Sequence, residues 1–485
     1  MASLWARVQT ISDSSTSVLT RNLTTLNEEK TGDTPCTTGE NVILWVMTRA
    51  IETLRLSQLL PAIRDEFDLV PDIRNVDASG HVHPMSDVLM AGLAMMLVQD
   101  PSLLEFQNRL EERRRGNNLR TIFGVSKIPK ESQFRRVLDP ADPSIIQNAF
   151  SACVQRLQKT RLWSEYRVLN GRYPVLFDGF EFFRSNKQGC DHCLEFHHRD
   201  GRVDYAHQVL AATLAHPTAK RPIPLMLEEI RREDGTQKQD CEFNAARRLI
   251  PNLVKQHCHL DLIFVGDGLY SKVPMVNLII DTGSSYILVA KPTDHVALEE
   301  NLASLRLCDG VKRLEFTTDK GKRRVYEWVY DVELNGSSSL VTNWFSIAEF
   351  APSGKIIYRN SWITDLKPCK SNIEELVEVG RHRWQIEDQV FDILKNHGYH
   401  LEHRFGHGKQ HLAFIFIILN FLAYMLHQLI ALSDRLFQAA MEKIGTKHKL
   451  WDDIRVLLNH FVWGSWDALL EHILDYRDDT GFESG

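Results

Sequence analysis

The 485-residue chain has only eight cysteines, at positions 36, 153, 190, 193, 241, 258, 308 and 369. They are too sparse for a disulfide framework and point to a reducing compartment. A charge excess is also missing: 57 basic residues stand against 63 acidic ones, a formal net of −6, so any surface for nucleic acid or anionic lipid must be local. The first residues lack the basic start and apolar run of a secretory signal, and a cytoplasmic protein is expected. No Gly-rich loop ending in Lys-Ser/Thr is present, so no nucleotide cofactor is implied. The one long apolar run, His411 to Leu432, is broken by Asn420, His427 and Gln428, which reads as a buried core helix rather than a membrane span. What remains is an ordinary globular composition, 43% hydrophobic and 25% charged, long enough for several domains.

The pattern along the chain changes several times. Residues 1–40 are polar and rich in Ser and Thr, and read as a disordered arm without a core. Residues 41–165 have helical periodicity punctuated by prolines. They contain the strongest basic run: between Arg109 and Arg136, nine Lys or Arg stand against three acids. Arg113, Arg114 and Arg115 in that run are candidates for phosphate contact, a solvated helix face being the plainer alternative.

From Tyr173 short β-like runs appear, Pro174 to Phe177 and Leu194 to His198, and Asp200-Gly201 signals a hairpin before Arg202 to Leu214. Helix, strand, helix and strand then alternate to Ala290, so residues 166–292 read as the first part of an α/β core. Residues 293–368 form a β-rich interruption. There, Tyr326, Trp328 and Tyr330 share one strand face beside a basic patch from Lys312 to Arg324, as sheet core or as a platform for stacking bases. Residues 369–408 open with Ser371-Asn-Ile-Glu374, a capping-box pattern, and stay helical to about Lys395. The remainder, 409–485, reads as further helices with an acidic end.

Three acids stand out. Asp178 follows Val175-Leu-Phe177, where the chain is expected to turn at Gly179, and Asp267 follows Leu262-Ile-Phe-Val-Gly266, so both can reach one sheet edge. Turn chemistry alone would account for either. On the later helix, Leu376, Val379, Val390, Phe391 and Leu394 form an apolar stripe containing Arg383 and Glu387. A carboxylate on a face turned towards the sheet is expected to be paired or to coordinate a metal. Three oxygen-donor acids suit hard cations such as Mg²⁺ or Mn²⁺, and two such ions serve in-line displacement at phosphorus.

Arg383-Trp-Gln-Ile-Glu387, with Asp267-Gly-Leu-Tyr270 and Phe177-Asp178-Gly179, resembles the three motifs of the bacterial insertion-sequence DDE transposases. More closely, it resembles the group with a Tyr-x2-Arg-x3-Glu-x6-Lys signature and a strand-rich insertion before the glutamate. The resemblance covers roughly residues 80–430. Two positions depart from it: Gly380 stands where that signature has tyrosine, and Lys395 comes one residue late. The resemblance implies an RNase H-like core interrupted by the β-rich insertion, and a helical DNA-binding domain ahead of it. It further implies an enzyme that cuts transposon ends and joins them to target DNA as a homodimer on double-stranded DNA. Asp178, Asp267 and Glu387 would hold two Mg²⁺ or Mn²⁺, with Arg383, Lys395 and Tyr270 near the DNA. A non-catalytic DNA-binding descendant and a purely hydrolytic metal nuclease are the alternatives.

Cys190-x-x-Cys193 with His197 and His198 offers soft ligands for a structural zinc. The spacing from Cys193 to either histidine is tight for tetrahedral reach, and two reduced cysteines in a hairpin are the simpler expectation. Five histidines, at 397, 400, 403, 407 and 411, follow the catalytic-helix candidate at irregular spacing, as loop residues or as imidazoles beside a polyanion.

Overall fold

The computed structural model describes residues 50–475 apart from 73, 75–82, 112–116, 128, 219–220, 233–238, 336–339 and 404. The N-terminal arm and the Arg113, Arg114 and Arg115 candidates lie outside the described residues.

The described residues begin with helices, among them α1 (Leu56–Asp68), α2 (Met85–Leu97), α3 (Glu131–Leu138) and α4 (Asn148–Gln158). All thirteen residues of α2 are buried, because it is apolar around its whole circumference and packs between α1 and the long late helix described below.

Among the described residues, ten strands make one mixed sheet. They are β1 (Tyr173–Ser185), β2 (Leu194–His197), β3 (Val203–Leu214), β4 (Ile223–Ile230), β5 (Leu262–Gly266), β6 (Ser285–Val289), β7 (Lys312–Thr317), β8 (Arg323–Glu333), β9 (Val341–Phe350) and β10 (Ile356–Thr364). The order is β2-β3-β1-β5-β6-β10-β9-β8-β7, with β4 also paired to β3. Between the strands lie α5 (Glu242–Gln256), α6 (Val273–Asp281) and α7 (Val296–Leu307). β1, β5 and β6 run parallel, and the continuous apolar burial of β5 and β6 is what a sheet covered on both faces requires. The strands of the 293–368 region continue this sheet, since β10 pairs antiparallel with β6 over Trp362↔Val289 to Thr364↔Ile287.

β1 does not turn at Gly179. It runs on to Ser185, with Asp178 and Gly179 paired to Ala211 and Leu210 of β3. The expected turn is absent because β3 supplies ladder partners on both sides of Gly179, from Val175 to Ser185, which Asp-Gly alone does not reveal.

After the sheet, α8 (Ile373–Arg381) passes into a 3₁₀ turn (His382–Trp384), a π-helical turn (Ile386–Phe391) and a short α segment (Asp392–Asn396). The capping-box expectation fails. The N-cap is Asn372, whose Oδ1 accepts from the Cys369 N–H at 2.7 Å and makes no cap to the helix.

The chain ends in α9 (Leu412–Ser433), α10 (Arg435–Ile444), α11 (Lys447–His460) and α12 (Trp466–Asp475). α9 is long and apolar enough to cross a membrane, yet 89% of its most apolar window is buried inside the protein. Asn420 and His427 have internal partners. Asn420 Nδ2 donates to Tyr399 O at 2.7 Å, and His427 Nε2 lies 3.0 Å from the Leu97 carbonyl while its Nδ1 meets the Tyr399 hydroxyl. Helices far apart in sequence thereby share one core.

Candidate active site

Parallel pairing of β1 with β5 ends at Leu176↔Val265, and continuing that register by two residues sets Asp178 opposite Asp267. The parallel register of the two apolar strands therefore delivers two carboxylates to the same edge. Asp267 Oδ1 accepts from the Leu269 N–H at 2.8 Å, closing the turn after β5. Asp178 Oδ1 accepts from the Gly179 N–H at 3.0 Å, leaving Oδ2 for a cation.

That cation is Arg383. Its Nη1 lies 2.9 Å from Asp178 Oδ2 and 2.6 Å from Glu387 Oε1, so one guanidinium joins the strand acid to the helix acid. The π-helical turn holds Glu387 four residues beyond Arg383 while burying Ile386 and Val390 beneath them. Glu387 is not buried: its side chain is 49% exposed, against 17% for Asp178. The burial expected of Glu387 from the apolar stripe therefore fails, because the turn rotates the glutamate off the stripe; the buried acid of the pair is the strand residue Asp178.

Sequence reasoning missed a fourth acid. Glu242, in the first turn of α5, lies against Gly179, where an added Cβ would meet its carboxylate and displace it, so glycine lets this acid approach beside Asp178. Tyr270 donates to Glu242 Oε2 at 3.4 Å. An acid in a helix's first turn reads as ordinary dipole pairing, and nothing in the local sequence distinguishes this one.

These charges perturb one another. Burial pushes the Asp178 carboxyl up to about 7, with Glu387 and Glu242 adding to the rise and Arg383 opposing it. Burial also raises Glu242, and the neighbouring charge of Asp267 adds to it. Crowded acids with one guanidinium among them form a site that gains by accepting further positive charge.

The remaining candidates are placed as follows. Tyr270 is fully buried, its ring 4.4 Å from that of Phe177, so it has no face for DNA and sits beneath Glu242 instead. Lys395 pairs with Glu402 at 3.0 Å on the surface. Gly380 packs on β10, where an added Cβ would lie 2.8 Å from the Trp362 ring, leaving no room for the tyrosine of the signature. Tyr326 and Trp328 are buried in the sheet core. Much of the Lys312 to Arg324 patch is neutralised locally: Arg313 and Arg323 pair with Glu315, and Lys322 and Arg324 with buried Glu349. His197 and His198 face Glu195 and Asp204 and do not approach the cysteines. Cys190 and Cys193 meet His207 and His407 instead.

No curated protein matches the chain. Residues 238–426, under half of its length, match the family model of the transposase DDE domain, a span that includes Asp267, Arg383 and Glu387 and begins after Asp178. That match supports an enzyme of the DDE transposase type, a class that acts on DNA with divalent metal ions.

Proposed function

We propose that the chain is a cut-and-paste DNA transposase whose active site is Asp178, Asp267 and Glu387. The observation that carries the reading is the convergence of these acids around Arg383, two of them at matching register on parallel strands. Order also supports it: β4, β3 and β1 antiparallel, then β5 and β6 parallel to β1, is the arrangement expected of an RNase H-like core. On this reading β7 to β10 are the insertion, and the N-terminal helices bind the terminal inverted repeats. The enzyme would work as a homodimer on DNA in the bacterial cytoplasm.

The donor set fits two Mg²⁺ or Mn²⁺, being all carboxylate oxygen with more negative charge than Arg383 offsets. Bound there, such ions would supply Lewis-acid charge to the attacking and leaving oxygens. The protein's own part is positional. Arg383 keeps Asp178 and Glu387 oriented, and Glu242, held by Tyr270, adds negative charge behind them. In the first step water attacks phosphorus and the 3′-oxygen at the element end leaves. In the second, that 3′-hydroxyl attacks a target phosphodiester, whose own 3′-oxygen leaves.

Purified protein and a supercoiled plasmid carrying the element ends, with and without Mg²⁺, test the proposal. Mg²⁺-dependent excision and 3′-end joining are expected, and Asp178→Asn should abolish both while DNA binding persists. Cutting without joining would indicate a nuclease, and binding without cutting a non-catalytic descendant. Cutting retained by the variant would remove Asp178 from the site.

A further inference from the structure

Cys190 and Cys193 lie in the loop between β1 and β2, His207 on β3 beside Phe183, and His407 in the segment between the catalytic helix and α9. Their donor atoms all fall within 4.8 Å of one another. The Sγ atoms are 3.7 Å apart. Sulfur to nitrogen measures 3.5 Å for Cys190 to His207, and 3.3 Å for Cys193 to each of His207 and His407. The two Nε2 atoms are separated by 3.2 Å. A tetrahedron around zinc, with bonds of about 2.3 Å to sulfur and about 2.05 Å to nitrogen, has edges of about 3.8, 3.6 and 3.3 Å for these three pairings. All five measured edges agree with those values to about 0.3 Å or better.

The surroundings match as well. His407 Nδ1 lies 2.9 Å from the Gly408 carbonyl and donates to it. His207 Nδ1 faces Glu229 Oε1 at an ion-pair distance of 3.5 Å, and neither atom has a hydrogen-bond partner. Each imidazole thus turns Nδ1 outward, His407 to a carbonyl and His207 towards a buried carboxylate, and Nε2 inward, the orientation that outer hydrogen-bond acceptors give metal-bound histidine. The Cys190 N–H points at Cys193 Sγ from 3.5 Å. Two inward lone pairs at 3.2 Å repel unless a cation lies between them. Cys193, His207 and His407 are buried, so water cannot screen that repulsion.

We propose that Cys190, Cys193, His207 and His407 bind one structural Zn²⁺. Two thiolates and two imidazoles in a closed tetrahedron select zinc over the hard cations of the carboxylate site. The ion joins the β1–β3 pair, which carries Asp178, to the segment leaving the catalytic helix, which carries Glu387. It thereby fixes the distance between the two halves of the active site. Nothing in this inference depends on the transposase reading, and its readouts involve no DNA.

Full-length protein purified without chelator and dialysed should retain about one zinc per chain by elemental analysis. Cobalt-exchanged protein should show the visible absorption and thiolate charge-transfer bands of a tetrahedral site. Cys193→Ser and His407→Ala should lose the metal, while His197→Ala and His198→Ala keep it. Should the ligand variants fail to fold, Glu229→Gln serves instead: it leaves all four ligands and should weaken zinc binding by about 10–100-fold. Metal-free wild-type protein, a Cys190–Cys193 disulfide, or zinc retained in folded His407→Ala would each overturn the proposal.

Discussion

At Asp178, β1 meets oxygen donors from three other elements, and a single guanidinium stands between two of the acids. Five residues further along, at Phe183, the same strand flanks four soft donors whose spacings already fit one ion. The first cluster is open at Glu387 and carries charges of both signs; the second is buried at three of its four residues, with His407 Nδ1 bonded to a carbonyl and His207 Nδ1 facing Glu229. A structural ion is served by closure, whereas a catalytic one needs an open side through which substrate can complete its coordination. The contrast teaches that tight donor geometry alone is a poor guide to where the chemistry lies.

The sharpest way to break this contrast is Glu387→Gln. Losing one carboxylate from a metal-assisted displacement costs several kcal/mol of transition-state stabilisation, so cutting should fall by about 10³-fold or more. Zinc content should be unchanged. Measuring cleavage rate and bound zinc on the same preparation decides it, and loss of zinc in this variant would mean that the two clusters are one unit.

A smaller effect comes from proton linkage at Asp178. Its folded-state value of about 7 lies above the usual range near 4 of an unfolded chain, so the folded protein holds this proton more tightly. The resulting stability is present at low pH and is lost as pH rises from about 4 to about 7. Without added divalent ions, the wild-type melting temperature should decline relative to Asp178→Asn across that window, and Mn²⁺ should restore most above it. Parallel melting curves for the two proteins would contradict the crowding of acids around Arg383.

What could be read in advance follows from how local each signal is. Asp178 and Asp267 each follow a short apolar strand, and Arg383 and Glu387 sit four residues apart, so both pairings show in neighbouring residues. Their meeting depends on the β1–β5 register, which only folding supplies. The zinc ligands were half legible: Cys190 and Cys193 form a recognisable pair, but His207 arrives across a ladder and His407 from beyond the catalytic helix. His197 and His198, nearer in sequence, are carried away by β2. Gly380 looked like a departure from the signature and is explained by a tertiary neighbour, Trp362, that no helical pattern announces. Glu242 needed both α5 and Gly179 in place before it could be seen as a fourth acid.

The smallest expected effect concerns Lys395, the displaced lysine of the motif. Its partner Glu402 is 66% exposed, and a surface pair of this kind contributes about 0.2–1 kcal/mol, so Lys395→Ala should barely change the melting temperature. Stability therefore gives no reason for a lysine here, and any function must appear in DNA binding. A lysine that leaves Glu402 for a phosphate releases a counterion, so the variant should lower the slope of log affinity against log salt by about one. Titrations of element-end DNA at several salt concentrations read that slope directly. An unchanged slope would leave Lys395 as a surface residue paired with Glu402, and would confine any DNA contact on this helix to the Arg383 side, next to the acids.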